Sequence, residues 1–434
     1  MNRKPHRRAK RLAALGVMAA TLVGLTACSS DNDSGSAPAG SAEVATTEAP
    51  IATEPTGTAE TTEAAMWSGT APNMEPANDA TAAEWQTLFE SALVEATGVP
   101  GIWVALSDPT KGYWASAIGD AVVDPNRPAT VADHGRIGSV TKTFTATAVL
   151  EQIDAGTMSL DDTVADLTPD LAEQFPVTAD LTVEQLLSMQ SGLGDYANVP
   201  GAATAQAVAD PSKVWKPEEL IASAIDASPV QPVGTPGYST TNYVILGLML
   251  EVVTGEPVDE VITDLAKRAG LDRTALLPGV QNEMPDPSSH GYIDAKGVSD
   301  LAQLAGVDVV EDTDVTEWSV SWGGAGGGMY SVIEELFAWT ATAMGTTMLS
   351  ADLGEQRLTL DTLIVDDGIN YGLGIFELSG LKGWVGHTGQ VIGWESIGLY
   401  NPETGASIAI MTNGTSGLGS IIPALEVAMG VTLG

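Results

Sequence analysis

Residues 136–142 read RIGSVTK, and this stretch carries more of the fold assignment than any other part of the 434-residue chain. Apolar residues at helical spacing follow Ser139 and end at Gly156, so the pattern predicts a helix that begins at Ser139. Residues at i and i+3 lie on one face of a helix, which places the Ser139 hydroxyl beside the Lys142 amine. Two interpretations remain open: Ser139 is a helix N-cap, or it is a nucleophile with Lys142 as its base.

The second interpretation has a clear chemical basis. A serine hydroxyl is a poor nucleophile until a base takes its proton, and a lysine amine becomes such a base when burial lowers its pKa. The positive end of the helix favours neutral Lys142 and offers the N–H of Ser139 to an oxyanion. The spacing alone is weak evidence, because Ser379 and Lys382 repeat it in a glycine-containing stretch that is typical of a turn.

Strand signals lie near both ends of the folded part of the chain. GIWVALSD and GYWASAIGD predict a hairpin over residues 101–120, and strand signals return in YGLGIFEL, GWVGH, ESIGLY and ASIAIMT, between residues 371 and 412. Helical spacing is found in AEWQTLFESALVEATG, in TVEQLLSM, PEELIASAI, NYVILGLMLEVV and SVIEELFAWTATAM of the middle part, and in residues 420–429.

This order predicts an α/β fold of the α+β type. One antiparallel sheet is built from both chain ends and flanked by helices, with an inserted helical subdomain. We expect the site in the crevice between the subdomains. The glycine cluster GGAGGG, residues 323–328, does not fit a nucleotide-binding pattern, and we predict a turn where backbones approach closely.

The N-terminal segment predicts export and a lipid anchor. Residues 1–28 have a basic start, a short apolar run and the sequence Leu-Thr-Ala-Cys at their end, which resembles the bacterial lipobox. Cys28 is the single cysteine of the chain, so we expect it to carry the lipid and to tether the protein to the outside of the cell membrane. Residues 29–80 are poor in large apolar residues and predict a disordered stalk, and the catalytic domain spans residues 81–434.

Charge and composition exclude several classes of partner. Without the six basic residues of the signal segment, 12 Lys and Arg face 56 Asp and Glu, a formal charge of −44. Such a surface repels polyanions, so nucleic acid is not expected as a partner. Four histidines, one cysteine and the lack of an H-E-x-x-H motif argue against a metal site.

The stretch RIGSVTKTFTATAVLEQIDAGTMSLDDTV resembles the S-x-x-K helix of the serine β-lactamase and penicillin-binding protein superfamily, in the branch of class C β-lactamases and secreted DD-carboxypeptidases. Four further segments agree in the same order: LTVEQLLSMQSGLGDY, PGYSTTNYVILGLMLEVVTG, GHTGQVIGWES and YNPETGASIAIMTN. The resemblance covers approximately residues 90–415 and implies a β-lactamase/transpeptidase-like fold without a cofactor.

The resemblance also implies roles for the catalytic residues. Ser139 is then the acylated nucleophile, Lys142 is its base partner, and Tyr238 passes a proton to the leaving group. The backbone N–H groups of Ser139 and Gln390 form the oxyanion hole.

His387, Thr388 and Gly389 match the superfamily's K-T-G or H-T-G strand, whose threonine and cation hold the substrate carboxylate. Thr240 stands where the superfamily has the asparagine of Y-x-N, so a single hydroxyl replaces an amide in contact with substrate.

These observations together predict an extracytoplasmic, membrane-anchored serine hydrolase that forms an acyl-enzyme. The expected activity is that of a D-alanyl-D-alanine carboxypeptidase on peptides of the cell wall. Two alternatives stay open: an esterase or weak β-lactamase of the same fold, and a cell-wall binding lipoprotein without turnover.

Overall fold

The computed structural model describes residues 69–96, 98–279, 281–306, 308–364, 368–378, 382–415 and 418–430, and the statements below refer to these residues. Cys28, the predicted signal segment, most of the predicted stalk and Ser379 lie outside them.

The first elements in chain order are α1 (Asp79–Glu95), β1 (Gly101–Asp108), β2 (Gly112–Val122), β3 (Arg127–Pro128) and β4 (Gly135–Arg136). A 3₁₀ turn, Gly138–Val140, then leads directly into α2 (Thr141–Asp154). The helical middle contains α3 (Val164–Leu167), α4 (Pro169–Gln174), α5 (Val183–Leu187), α6 (Ala203–Ala209), α7 (Pro217–Ala227), α8 (Thr240–Thr254), α9 (Val258–Arg268), the short strand β5 (Ala275–Leu276) and α10 (Ala295–Ala305).

The C-terminal part contains α11 (Gly324–Gly327), β6 (Met329–Ser331), α12 (Ile333–Ala341), α13 (Ala351–Arg357), β7 (Thr362–Ile364), β8 (Ile369–Tyr371), β9 (Phe376–Leu378), β10 (Val385–Val391), β11 (Trp394–Tyr400), β12 (Ser407–Thr412) and α14 (Leu418–Met429). Among the described residues, no helix is both long enough and apolar enough to span a membrane.

Nine of the described strands form one antiparallel sheet in the order β3-β2-β1-β12-β11-β10-β9-β8-β7. Strands from the two ends of the domain meet at its centre, where Ile102 of β1 pairs with Thr412 of β12 on one side and with Ile118 of β2 on the other. The predicted sheet built from both chain ends is therefore confirmed. A smaller sheet, β4-β6-β5, lies beside the start of α2.

Strand β1 explains why helices cover both faces of this sheet. Its side chains alternate between the faces. Ile102, Val104 and Leu106 pack in a cluster that includes residues of α1 and α14, whereas Trp103 and Ala105 belong to a larger core that includes α2, α8 and α12. Helix α2 shares this larger core, and the 3₁₀ turn before it, which carries Ser139, contacts β10 and β11.

Two local predictions differ from the structure. The stretch YGLGIFEL is two strands, β8 and β9, because the chain leaves the sheet at Gly374, which has φ +77°. A Cβ at Gly374 would lie 2.1 Å from the Cβ of Ala146 in α2, so this loop packs tightly against α2. The cluster GGAGGG, predicted as a turn, forms the single helical turn α11.

The stalk also ends earlier in the chain than its composition predicts. The Thr70 N–H donates to the Pro402 carbonyl over 3.0 Å, and the Tyr400 hydroxyl donates to the Thr70 carbonyl over 2.7 Å. Ala77 pairs with Tyr113 of β2 by a 2.9 Å backbone hydrogen bond. Residues 70–78 therefore belong to the folded domain, and the predicted boundary at residue 80 is wrong because these bonds are made by backbone groups, which composition does not reveal.

Candidate active site

Ser139 lies in the 3₁₀ turn that precedes α2. The capping positions of this turn and of α2 are Ile137 and Val140, and neither makes a side-chain capping hydrogen bond. The Ser139 Oγ instead lies 2.9 Å from the Nζ of Lys142. The interpretation of Ser139 as a helix cap is therefore wrong, and the Ser139–Lys142 pairing predicted from the spacing is present.

Lys142 is fully buried, and two further groups hold its amine. Nζ lies 2.8 Å from the carbonyl oxygen of Gly326 and 3.2 Å from the Oγ1 of Thr240. Burial lowers the pKa of Lys142 to about 7, against a smaller opposing effect of the Asp195 carboxylate. A neutral amine has two N–H donors and one lone pair. With its donors on Gly326 and Thr240, the lone pair is left for the proton of Ser139.

The glycine turn α11 makes the contact between Gly326 and Lys142 possible, and the sequence pattern did not predict this role. A Cβ at Gly326 would lie 2.5 Å from the Cγ2 of Thr240, so a side chain there would push α11 away from Lys142. Thr145 of α2 also donates to the Ala325 carbonyl over 2.6 Å. The glycine cluster GGAGGG is visible in the sequence, but nothing in its residues connects it to Lys142.

Tyr238 and Thr240 approach Lys142 from the start of α8. The Lys142 Nζ lies 5.0 Å from the centre of the Tyr238 ring, a distance typical of a cation–π contact. The backbone N–H of Thr240 donates to the Oδ1 of Asp195 over 3.0 Å. Asp195 is a second residue that the sequence analysis missed, and it fixes the end of α8 that carries Tyr238 and Thr240.

Strand β10 lies directly against the Ser139 turn. A Cβ at Gly389 would lie 1.9 Å from the Ile137 carbonyl oxygen, and a Cβ at Gly138, which has φ +49°, would lie 2.6 Å from the backbone nitrogen of Gln390. Both glycines are needed for this close contact, because a side chain at either position would separate the two segments.

The ladder of β10 with β11 shows where the Gln390 N–H points. Val391 pairs with Trp394 across a two-residue turn, so Gln390 and Glu395 form the next, non-hydrogen-bonded pair. The N–H of Gln390 therefore faces away from β11, toward the edge of β10 that contacts the Ser139 turn. This direction agrees with the predicted oxyanion hole, which stays a prediction. The side chain of Gln390 donates to the Thr415 carbonyl over 2.7 Å.

His387, for which the resemblance implies a role in binding a substrate carboxylate, lies inside the fold. It is fully buried, with Nδ1 against the Thr388 carbonyl and Nε2 3.0 Å from the Tyr371 hydroxyl. Burial, with a smaller contribution from the Lys142 charge, lowers the pKa of His387 to about 3. The imidazole of His387 is therefore neutral in this structure, and its role in binding a substrate carboxylate stays a prediction. Thr388 is half-buried and follows His387 on β10.

Comparison with known proteins agrees with this geometry. A family model described as Beta-lactamase matches residues 87–425. Penicillin-binding protein 4 of Amycolatopsis lactamdurans is 28% identical over 360 residues, which are 76% of this chain and 85% of that protein.

Two solved structures have the same fold. A D-stereospecific amidohydrolase from Streptomyces sp. is 27% identical with a TM-score of 0.66, covering 81% of this chain and 99% of its own. A D-amino acid amidase from Ochrobactrum anthropi is 22% identical with a TM-score of 0.65, over 81% and 99% of the two chains, and this likeness concerns the fold alone. Because the family model spans well over half of the sequence, the chain belongs to the Beta-lactamase family and is a serine hydrolase.

Proposed function

We propose that this protein hydrolyses amide bonds of small peptides or amino acid amides through an acyl-enzyme on Ser139. The observation that carries the proposal is the buried Lys142 amine, 2.9 Å from the Ser139 Oγ, with a pKa lowered to about 7. At neutral pH about half of such amines are unprotonated and able to act as the base.

The geometry supports a two-step reaction. The Ser139 Oγ attacks the substrate carbonyl carbon while its proton passes to the Lys142 amine, and the N–H groups of Ser139 and Gln390 hold the oxyanion. A proton returned through Tyr238 to the leaving nitrogen allows the C–N bond to break, and the amine departs. Water then attacks the Ser139 ester, releasing the acid and restoring the serine hydroxyl.

The names of similar proteins support amide substrates with D-stereochemistry. The 27% identical structure is a D-stereospecific amidohydrolase, and the 28% identical relative is a penicillin-binding protein. The name penicillin-binding protein favours a second candidate function, the D-alanyl-D-alanine carboxypeptidase predicted from the sequence. An esterase or a weak β-lactamase would use the same acyl-enzyme and differ in the leaving group alone.

The proposed location is outside the cytoplasm, with the lipid of Cys28 as the tether. This part of the proposal rests on the sequence of residues 1–28. The substrates within reach are then peptides and amides of the cell wall layer.

The test is hydrolysis by the lipid-free protein beginning near residue 69, with D- and L-amino acid amides as substrates. We expect turnover of the D-amides and its loss in Ser139→Ala. Turnover that survives in Ser139→Ala would contradict the proposal. No turnover of any amide, together with no labelling by a fluorophosphonate, would instead support the binding lipoprotein without catalysis.

A further inference from the structure

We infer that a cavity between α7, α8, α9 and α11 is a second binding site, for a small apolar ligand that carries a positive charge, such as an aryl- or alkylammonium ion. The volume of the cavity is about 170 Å³. An apolar cavity of about 150 Å³ in another protein binds benzene, so a single six-membered ring fits here. The inference goes beyond the proposed function and does not rest on it.

Helix α8 shows where the cavity lies relative to Lys142. This helix begins at Thr240, which contacts the Lys142 amine. Eleven residues separate Thr240 from Glu251 at the other end of the cavity, a distance of about 16 Å along the helix axis. The lining residues of α8 recur at the spacing of one helix face: Val244, Gly247, Leu248 and Glu251. The cavity therefore extends along α8, away from Lys142.

The inner wall of the cavity is apolar. Four of its side chains are buried hydrophobic groups, from α7, α8, β5 and the segment before α11: Leu220, Val244, Leu276 and Val320. The Ser321 hydroxyl on this wall accepts from the Trp215 backbone N–H over 2.9 Å and lies 2.8 Å from the Ser319 hydroxyl. A ligand that places an apolar group against this wall therefore gains free energy by removing apolar surface from water.

Glycines leave the space that a ligand needs. Four of them line the cavity: Gly247, Gly279, Gly324 and Gly328. Gly279 is exposed at the opening, and a Cβ there would meet no atom within 4 Å. The cavity is therefore open to solvent beside Gly279, and a small ligand has a route into it.

Two carboxylates give the cavity a negative charge. Glu251 and Asp259 both line it and are half-buried. Glu251 accepts the Val258 N–H over 3.0 Å, whereas the Asp259 side chain makes no hydrogen bond or ion pair with another described residue. The described lining residues include no Lys, Arg or His. The ligand group that complements this part of the cavity is a cation, which the formal charge of −38 on the chain also attracts.

Two cations of the neighbouring segment define the competing interpretation. Lys213 lies 3.3 Å from the centre of the Trp215 ring and pairs with Glu219 over 3.8 Å. Lys216 is exposed and precedes the lining residue Pro217. If either lysine governed the charge of the cavity, an anionic ligand would be preferred, and the experiment includes one.

Helix α11 connects the cavity to Lys142. Gly324 and Ala325 line the cavity, and the Ala325 carbonyl accepts the Thr145 hydroxyl over 2.6 Å. The next residue, Gly326, accepts from the Lys142 amine over 2.8 Å. A ligand that fits the cavity in this arrangement stabilises it, and with it the position of α11 that provides the acceptor for Lys142.

The test is a calorimetric titration of the lipid-free protein with three probes of similar shape: benzylamine, benzyl alcohol and benzoate. We expect saturable binding of benzylamine, at least about threefold tighter than that of benzyl alcohol, with benzoate the weakest. No saturable binding of benzylamine, or equal binding of the amine and the alcohol, would overturn the inference. A preference for benzoate would assign the charge to Lys213 or Lys216 and also overturn it.

Two pairs of variants locate the probe. Leu248→Trp fills the cavity from its half-buried position and should abolish binding of the amine and the alcohol. Val252→Trp is the matched control on the same helix, 60% exposed and outside the cavity, and should leave both unchanged. Asp259→Asn should weaken benzylamine about twofold to fivefold, the value of one partly exposed ion pair, and spare benzyl alcohol. Binding that survives in Leu248→Trp would place the probe elsewhere. Asp259→Asn decides the question if Leu248→Trp does not fold.

A fluorophosphonate separates this site from the proposed catalytic cleft. When Ser139 is labelled, benzylamine should bind with unchanged affinity. Loss of binding on labelling would place the amine in the cleft and overturn the inference, while the proposed function would stand. If Ser139 does not react, the proposed function fails, and the titrations of the unlabelled protein and of Leu248→Trp still test the cavity.

Discussion

Lys142 is the residue in which fold and chemistry are most directly linked. Its amine is removed from water by α2, α8 and α11, and the acceptors that it meets are neutral: the Gly326 carbonyl and the Thr240 hydroxyl. Neutral acceptors do not stabilise an ammonium as a carboxylate would, so burial decides the pKa. The same feature that makes Lys142 a base also makes its protonated form costly to the fold.

This gives a prediction for the pH dependence of acylation. The reactive form of Lys142 is the neutral amine, so kcat/KM should rise with pH and reach half its maximum near pH 7, following the pKa of about 7 in the free enzyme. The measurement is kcat/KM between pH 5 and 9 with an uncharged amide. A midpoint near 10, the ordinary value for lysine, would contradict this account of the base.

The buried Lys142 amine is expected to be essential for acylation and, when protonated, to destabilise the fold. The pKa of Lys142 is lower in the folded protein than in the unfolded chain. Between these two pKa values the unfolded chain binds more protons than the folded protein. The contribution of Lys142 to the free energy of unfolding therefore rises with pH over this range. At pH 6, Lys142→Met should abolish acylation and raise the melting temperature. The control Lys382→Met, at an exposed position, should change neither. A lower melting temperature for Lys142→Met would show that burial of the protonated amine does not destabilise the fold.

Thr240 stands where the resemblance implies the asparagine of the superfamily's Y-x-N motif. Its hydroxyl keeps the contact with Lys142 at 3.2 Å, but it cannot also donate an amide N–H to the substrate. Thr240→Asn should therefore speed acylation by amide-bearing substrates about twofold to tenfold, the value of one neutral hydrogen bond, and hardly affect simple esters. The rates of acylation by one penicillin and one small ester measure this. A mutant slower with both would mean that Thr240 is fitted to the native substrate.

At the scale of elements, the contact between β10 and the Ser139 turn would position the proposed oxyanion hole. The Ser396 hydroxyl of β11 donates to the Ile137 carbonyl over 2.8 Å, and Gly389 leaves that carbonyl room to approach. Strand β10 and the turn are therefore in direct backbone contact at Gly389, and the Ser396 side chain ties the turn to the neighbouring strand β11.

Gly389→Ala tests this contact. Its Cβ would lie 1.9 Å from the Ile137 oxygen, so β10 and the turn must separate and the Gln390 N–H moves away from the oxyanion. We expect acylation to fall about 100-fold or more, the usual loss for one oxyanion donor. Gly419→Ala is the matched control, because no atom lies within 4 Å of its Cβ position. An active Gly389→Ala variant would place the oxyanion hole elsewhere.

Elements that depend on local pattern could be predicted from the sequence, and those that depend on distant contacts could not. The helix after Ser139 and the strands β1, β2, β11 and β12 follow from periodicity and turn residues. The break at Gly374 is imposed by Ala146 of α2, and the burial of His387 comes from Tyr371 and Phe376 on two other strands. Motif order predicted that Ser139, Lys142 and Tyr238 belong to one site, but it gave no sign of the Gly326 contact with Lys142, because that contact is made by a backbone carbonyl.

At the scale of the whole molecule, the folded domain begins before α1, and residues 70–78 lie along the sheet at β2 and the end of β11. The chain between Cys28 and residue 69 is then the part that separates the domain from its predicted lipid anchor. Changing Cys28 to Ala should release active enzyme from the membrane fraction, or stall its processing, without changing kcat/KM of the purified domain. Unchanged membrane retention of the variant would exclude Cys28 as the anchor.

The central claim is that Ser139 becomes acylated, and mass spectrometry of the labelled protein tests it most directly. After reaction with a fluorophosphonate or a penicillin and digestion with trypsin, we predict the added mass on the peptide of residues 137–142, and its loss in Ser139→Ala but not in Ser379→Ala. An adduct on the peptide that contains Ser379, or labelling that survives in Ser139→Ala, would contradict the account.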